Sequence, residues 1–369
     1  MDLKTTTLLE TLIPHLEKHL PRLMEKAGVP GLSVALIRQA ELVWAQGFGV
    51  KNVETKAPVT TDTIFEACSL SKVPFAYAAL KLYELGELDI DAPLSQYLPA
   101  PYFDGEPNDN PVTAGQVLSH TAGFPNWRPK SWSELGWPPA GVPLELHFTP
   151  GDHYSYSGEG FMYLQRVIEQ LTGKTGEAFM QTQLLKPLGM ERSTYVWADA
   201  DDPDLASNHD YEGNLAQKFL RQDMISAASL HTTPTEYANF MTAMMNPSSE
   251  NDAHLSSRST DQMLSSQVQV NDLAPWHGDW PDGEIVTDER VSWGLGWGLQ
   301  HHENSTSFWH WGDNFSATAF AAGFKEEGLG IIIMANSGNG YGLFEDVCLE
   351  TIGGEYPGLW WLKRLFAKN

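Results

Sequence analysis

Ser69 and Lys72 stand three residues apart in Ser69-Leu-Ser-Lys72, the one place in the chain where a serine precedes a lysine by that interval. With 25 serines and 14 lysines among 369 residues, about one such match is expected by chance, so the pair acquires meaning only from its context. That context is a strand-like Thr63-Ile-Phe-Glu66 running into a helical pattern over 70–85 that ends at Gly86. At a helix start, unpaired N–H groups and the positive dipole end stabilise developing negative charge. A spacing of three places Lys72 on the face of Ser69, one turn on, where its amine reaches the hydroxyl. Serine is a weak nucleophile until a base takes its proton. Lysine is such a base only when burial or a neighbouring charge lowers its pKa from about 10.4. The chemistry would be acyl transfer, with attack on a carbonyl, a covalent intermediate and release by water. Taken alone, the same residues also read as a capping serine beside an exposed lysine.

The elements that must position this pair follow from hydrophobic periodicity. Leu8, Leu9, Leu12, Ile13, Leu16, Leu20, Leu23 and Met24 predict an amphipathic helix over 6–27, with Pro14 and Pro21 expected to kink or shorten it. Two apolar runs, 31–37 and 42–48, flank Gln39-Ala-Glu41 as an antiparallel hairpin. Helical pattern covers 158–172, ending at Gly173, and a further helix starts at the cap Thr233 followed by Pro234. Strands are expected at Val291–Leu299, Ser307–Trp311, Ala317–Phe324 and Gly328–Asn336, then helices at 341–352 and 357–367. Strands at both ends with helices between imply an α+β fold. One antiparallel sheet is built from the N- and C-terminal segments (1–66 and 285–369) and flanked by helices. A mostly helical insertion (67–284) completes it, with the active site at the junction. Residues 99–157, rich in Pro, Gly and Trp, read as functional walls or a lid.

Around the pair the chain resembles the serine β-lactamase and penicillin-binding-protein superfamily, especially its class-C-like branch and the related esterases. The resemblance rests on Phe65-Glu-Ala-Cys-Ser-Leu-Ser-Lys-Val73, Leu85-Gly-Glu-Leu-Asp-Ile-Asp-Ala-Pro-Leu94, Tyr97-Leu-Pro99, Leu118-Ser-His-Thr-Ala-Gly-Phe124, Thr149-Pro-Gly-Asp-His-Tyr-Ser-Tyr-Ser157 and Leu185-Lys-Pro-Leu-Gly-Met190, in consistent order from about 20 to 350. It implies a β-lactamase/transpeptidase-like fold, with Ser69 as nucleophile, Lys72 as its base partner and Tyr156 as the phenol that shares the proton transfer. Tyr154 is the competing tyrosine. The strand that lines the site in the family matches Trp309-His-Trp-Gly312, so His310 stands where a lysine is usual, and Trp311 and Gly312 flank it. The N–H of Asp313 would join that of Ser69 as an oxyanion hole. Lys174-Thr-Gly176 has the family's triplet text in the wrong place and reads as a helix end and loop.

Two departures bear on substrate. The usual Tyr-x-Asn reads Tyr156-Ser157-Gly158, and the usual lysine is His310. A neutral histidine pairs weakly with a carboxylate, so penicillins and D-peptides lose more than simple esters do. Trp127, Trp132, Trp137 and Trp311 are candidates for an apolar pocket wall. The expectation is a serine hydrolase, foremost a carboxylesterase on small to medium acyl esters. β-Lactam or D-amino-acid peptide or amide cleavage is the alternative, and a catalytically silent ligand-binding module the second.

The remaining features exclude other classes. A balance of 23 basic against 47 acidic residues, net −24, repels nucleic acid and anionic lipid, so neither is an expected partner. The partner is a small-molecule ester or amide, and no cofactor is implied. The two cysteines, Cys68 and Cys348, exclude a disulfide framework or Cys-rich metal site and read as small buried hydrophobes. No apolar run approaches the roughly 20 residues of a membrane span. No secretory signal is visible either, which fits a cytoplasmic chain or a trimmed exported one. Thr172-Gly-Lys-Thr175 lacks the earlier glycine of a phosphate loop, and Asp199–Asp204 lacks the glycine and closing glutamate of a calcium loop. His15 and His19 sit one helical turn apart, but no third ligand suggests itself, so no metal is expected.

Overall fold

A computed structural model describes residues 3–103, 105, 111–128, 144–197, 199, 201–218, 220–271 and 287–368. Trp132 and Trp137, two of the expected pocket walls, lie outside the described residues. In chain order the helix α1 (Leu3–Ala27) precedes the hairpin β1 (Gly31–Arg38) and β2 (Glu41–Gly49). The short strand β3 (Phe65–Glu66) then enters a 3₁₀ turn at Cys68–Ser71 and the helix α2 (Lys72–Glu84). There follow α3 (Ala114–Leu118), α4 (Gly158–Thr172), α5 (Gly176–Met180), β4 (His231–Thr232), α6 (Pro234–Met245) and α7 (Ser257–Met263). The chain closes with β5 (Val268–Asn271), β6 (Thr287–Trp293), β7 (Gly298–His301), β8 (Thr306–Asp313), β9 (Thr318–Phe324), β10 (Leu329–Ala335), α8 (Tyr341–Thr351) and α9 (Pro357–Lys368).

The large sheet has eight strands in the order β2-β1-β10-β9-β8-β7-β6-β5, every neighbouring pair antiparallel. The fold is thus α+β. Antiparallel sheets often leave one face wet, and their strands then alternate apolar with polar. Here both faces are covered. Val34, Leu36, Ile331 and Ile333 pack with α1, α8 and α9, while Ala35, Ile37, Ile332 and Met334 pack with α2 and α6 on the opposite face. That is why Ile331-Ile-Ile-Met334 reads as an unbroken apolar run.

One expectation is narrowed and another needs correction. Neither Pro14 nor Pro21 shortens α1, which is continuous over Leu3–Ala27. Leu16, Leu20, Leu23 and Met24 are buried against the sheet, and that packing outweighs the helical bonds the prolines remove. The single strand expected over 291–299 is two, β6 and β7, because Gly296 (φ 97°) turns the chain and its N–H donates to the Leu118 carbonyl. That turn ties the sheet to the helical region beside the motif 118–124.

Candidate active site

The turn that carries Ser69 is a bent connection between β3 and α2, and it is held from outside. Cys68, immediately before Ser69, has φ 51°, a conformation unfavourable for a residue with a side chain. Three groups fix the turn. Tyr195 Oη donates to the Ser71 carbonyl at 2.7 Å, Tyr237 Oη to the Leu70 carbonyl at 3.1 Å, and Ser71 Oγ accepts the Leu230 N–H at 2.9 Å. Ser69 itself lies in the 3₁₀ turn, not in the α-helix, and does no capping.

Lys72 is fully buried. Its Nζ stands 3.1 Å from Ser69 Oγ and donates to the Ala227 carbonyl at 2.8 Å. Burial holds its pKa well below the ordinary lysine value, which favours the neutral amine that can accept a proton. The amine lies 4.7 Å from the centre of the Tyr156 ring, and the Tyr156 hydroxyl interacts with the Ser69 hydroxyl. Residues 69, 72 and 156 therefore meet around one oxygen. Burial raises the phenol's pKa, and the contact with Ser69 only partly offsets it. Tyr154 is also buried but points elsewhere, its ring 5.5 Å from Trp293 and 5.9 Å from Trp361.

The edge of β8 supplies the rest. Beyond Trp309, among the described residues, this strand has no ladder partner on the β7 side, and the turn that carries Ser69 packs against it. A Cβ on Gly312 would fall 2.4 Å from the Ala67 carbonyl oxygen and 3.2 Å from Ser69 N, so only glycine permits the approach. Asn314 N–H donates to the Ala317 carbonyl, on the β9 side. Strand alternation then turns the Asp313 N–H to the opposite edge, towards Ser69. The Asp313 carboxylate is drawn off to accept the Phe315 N–H at 2.6 Å.

His310 is fully buried, with its ring 6.0 Å from that of Tyr156. Its Nδ1 lies 2.6 Å from the Trp311 carbonyl oxygen, an acceptor, so Nδ1 carries the proton. Burial, and secondarily Lys72, pulls its pKa down to about 3. The ring is neutral, and Nε2, which has no hydrogen-bond partner among the described residues, presents a bare lone pair. Trp311 is not an open wall. It is fully buried, with its ring 4.7 Å from that of Tyr156. Gly158 opens α4, and a Cβ there would fall 2.4 Å from the Trp127 ring. Trp127 thus stands where a side chain after Tyr156-Ser157 would project. It is held by Asn126, whose carbonyl accepts both the Gly158 and Glu159 N–H groups, and by the buried Arg128–Glu159 pair at 3.0 Å.

Sequence reasoning missed two residues. Trp293 stands 6.0 Å from Tyr156 and 5.5 Å from His310, ring centre to ring centre. His120 brackets the tyrosine: its carbonyl accepts the Ser155 N–H at 2.8 Å and its Nδ1 accepts the Ser157 N–H at 3.0 Å. Burial, and then Lys72, depress the His120 pKa, so the ring stays neutral. The signal lay in Leu118-Ser-His-Thr-Ala-Gly-Phe124, read only as a family marker. His120→Ala should strand the buried Ser157 N–H, costing about 1–3 kcal/mol, and lower turnover by loosening Tyr156. His120→Asn offers an acceptor oxygen and tolerates φ 57°, so it should recover most of both. Thermal melts and ester kinetics check this, and an Asn variant no better than the Ala variant would sink it.

Comparison with known proteins follows the geometry. The sequence model of the family described as Beta-lactamase matches residues 16–346. Protein flp of Staphylococcus aureus (strain MW2) is 22% identical over 334 residues, 86% of this chain and 62% of that protein. A D-aminopeptidase of Gluconobacter oxydans (strain 621H) is 28% identical over 213 residues, 52% of this chain and 37% of that protein. The chain thus spans less than two thirds of these relatives. An octameric penicillin-binding protein homologue from Pyrococcus abyssi superposes with TM-score 0.74 at 24% identity, covering 91% of this chain and 77% of that one. A penicillin binding protein from Bacillus halodurans gives 0.72 at 20%, covering 89% and 98%. At such identities these structures speak to the fold.

Proposed function

This chain belongs to the Beta-lactamase family, and from that premise we propose that it is a carboxylesterase, a serine hydrolase that cleaves small to medium acyl esters through an acyl-enzyme on Ser69. Ser69 Oγ attacks the ester carbonyl as its proton passes to the Lys72 amine. The phenol of Tyr156 relays a proton to the departing alkoxide. The N–H groups of Ser69 and Asp313 hold the oxyanion, where losing one such donor typically costs about 2.7–4 kcal/mol. Water, deprotonated by the same pair, then frees the acid.

The observation that carries the ester preference is the state of His310. Its one proton is spent on the Trp311 carbonyl, so it offers a substrate an acceptor and no charge. A β-lactam or peptide carboxylate would meet a lone pair there. Trp127 over Gly158 adds apolar surface in place of an amide-binding side chain, which suits a hydrophobic acyl group. Cleavage of D-amino-acid amides is the second reading. The D-aminopeptidase relative favours it, and a substrate N–H could donate to His310 Nε2. The convergence of Ser69, Lys72 and Tyr156 argues against a silent binding module.

Purified protein offered p-nitrophenyl butyrate, a chromogenic cephalosporin and D-alanine p-nitroanilide side by side tests the reading. The expected kcat/KM for the ester exceeds the other two by about 100-fold or more. A cephalosporin or anilide rate rivalling the ester rate would overturn it.

A further inference from the structure

We infer that His15, His19 and Glu350 form a zinc-binding site on the face of the molecule across the sheet from Ser69. His15 and His19 are one turn apart on α1, which places both rings on one face of the helix. The fold brings Glu350, in the last turn of α8, against them. His15 Nε2 lies 3.3 Å from Glu350 Oε2, and His19 Nδ1 lies 2.6 Å from Glu350 Oε1. The sequence gives the histidine pair without a third ligand. The packing of α1 on α8 supplies it.

Three observations point to a cation between these groups. One ligand atom from each residue can be chosen so that all lie within 4.8 Å of one another. Around tetrahedral zinc, with Zn–N and Zn–O of about 2.0–2.2 Å, ligand atoms sit roughly 3.3–3.6 Å apart, so small side-chain rotations close the site. Next, His19 Nδ1 and Glu350 Oε2 are shielded from solvent, and among the described residues each has only an ion-pair contact inside the cluster, to Glu350 Oε1 at 2.6 Å and to His15 Nε2 at 3.3 Å, with no hydrogen bond of good geometry. They converge at short range with lone pairs that a hydrogen-bond geometry does not use, and a shared ion would satisfy both. Last, the site lies at the C-terminal end of α8 on a chain of net charge −24, and both the helix dipole and the overall field favour a cation. Two imidazoles and a carboxylate, with water in the fourth position, suit zinc among the divalent ions. When bound, the ion would cross-link α1 to α8 and so tie the N-terminal helix to the sheet domain.

The test uses the untagged full chain, stripped with a chelator and titrated with zinc chloride by calorimetry. Its thermal midpoint is read with and without the metal, and cobalt(II) serves as a coloured probe of coordination. The expected result is one zinc per chain, an upward shift of several degrees in the midpoint, and visible cobalt bands of tetrahedral intensity. His15→Ala, His19→Ala and Glu350→Gln should each weaken binding by at least about tenfold, each compared with its own metal-free midpoint so that a packing effect is not mistaken for lost metal. Esterase rates should stay unchanged throughout, which keeps this inference separable from the proposed activity. A wild-type chain that takes up no zinc, or a His15→Ala/His19→Ala chain that binds it as tightly, would overturn the site.

Discussion

Ser69→Ala is expected to lower kcat/KM for p-nitrophenyl butyrate by about 10⁴-fold or more, while shifting the thermal midpoint by no more than about 2 °C. The rate loss is large because no other hydroxyl can take over. In the proposed chemistry the reacting oxygen is the one that Lys72 Nζ approaches to 3.1 Å and Tyr156 faces, whereas Ser71, two residues on, is engaged with Leu230 and the Cys68 carbonyl. The small effect on stability follows from what Ser69 does not do. It caps no helix, its side chain is part-exposed, and its loss leaves Lys72 still bound to the Ala227 carbonyl. The turn is held by Ser71, Tyr195 and Tyr237, none of which the substitution touches. Fluorophosphonate labelling followed by peptide mass mapping gives an independent readout: wild type should carry the adduct on Ser69 and the variant none. An unlabelled wild type, or a variant retaining a tenth of the activity, would remove Ser69 from the nucleophile's role.

How much of this was legible in the sequence depended on the range of the interaction that fixes each feature. Local signals carried well. Thr233-Pro234 opens α6 with the Thr233 side chain accepting the Glu236 N–H, and Gly173 ends α4 at φ 65°; of Lys174-Thr175-Gly176, read as a helix end and loop, only Lys174 is loop, since Thr175 caps α5 and Gly176 opens it. The antiparallel sheet from both termini could be read from apolar runs, although β1 and β10 pair across some 300 residues, because continuous apolar runs can only be buried strands or helices. Features set by through-space packing were not legible. The placement of Trp127 against Gly158 depends on the Arg128–Glu159 pair and Asn126. His310 donates its Nδ1–H to a carbonyl one residue along, a matter of backbone direction. His120 and Trp293 enter the site only once the turn at 294–296 brings β6 against the motif at 118–124. Glu350 meets His15 and His19 because two helices distant in the chain cover the same face of the sheet.

Lys72→Met should separate catalysis from stability in opposite directions. Removing the general base costs about 10²–10⁴-fold in turnover. Stability near neutral pH should nevertheless rise, because methionine fills a similar volume without a buried amine. Two terms compete. Leaving the Ala227 carbonyl without its donor costs about 1–3 kcal/mol, while an ammonium held in a dry site carries a penalty of several kcal/mol. Burial places the folded-state pKa of Lys72 below its unfolded value of about 10.4. Below the folded pKa both states are protonated, and the wild type bears the full penalty. Between the two values the unfolded chain binds the extra proton, so wild-type stability rises with pH across that window. Above about 10.4 the penalty is gone and only the stranded carbonyl of the variant remains. The difference between the proteins should therefore change sign, with Lys72→Met the more stable at pH 6 and the wild type at high pH, read as urea midpoints across the range. Lys72→Arg, which cannot shed its charge, should lose activity as completely and be less stable than wild type throughout. A midpoint difference between wild type and Lys72→Met that does not move with pH would show that the buried amine is not the titrating group the proposed chemistry needs.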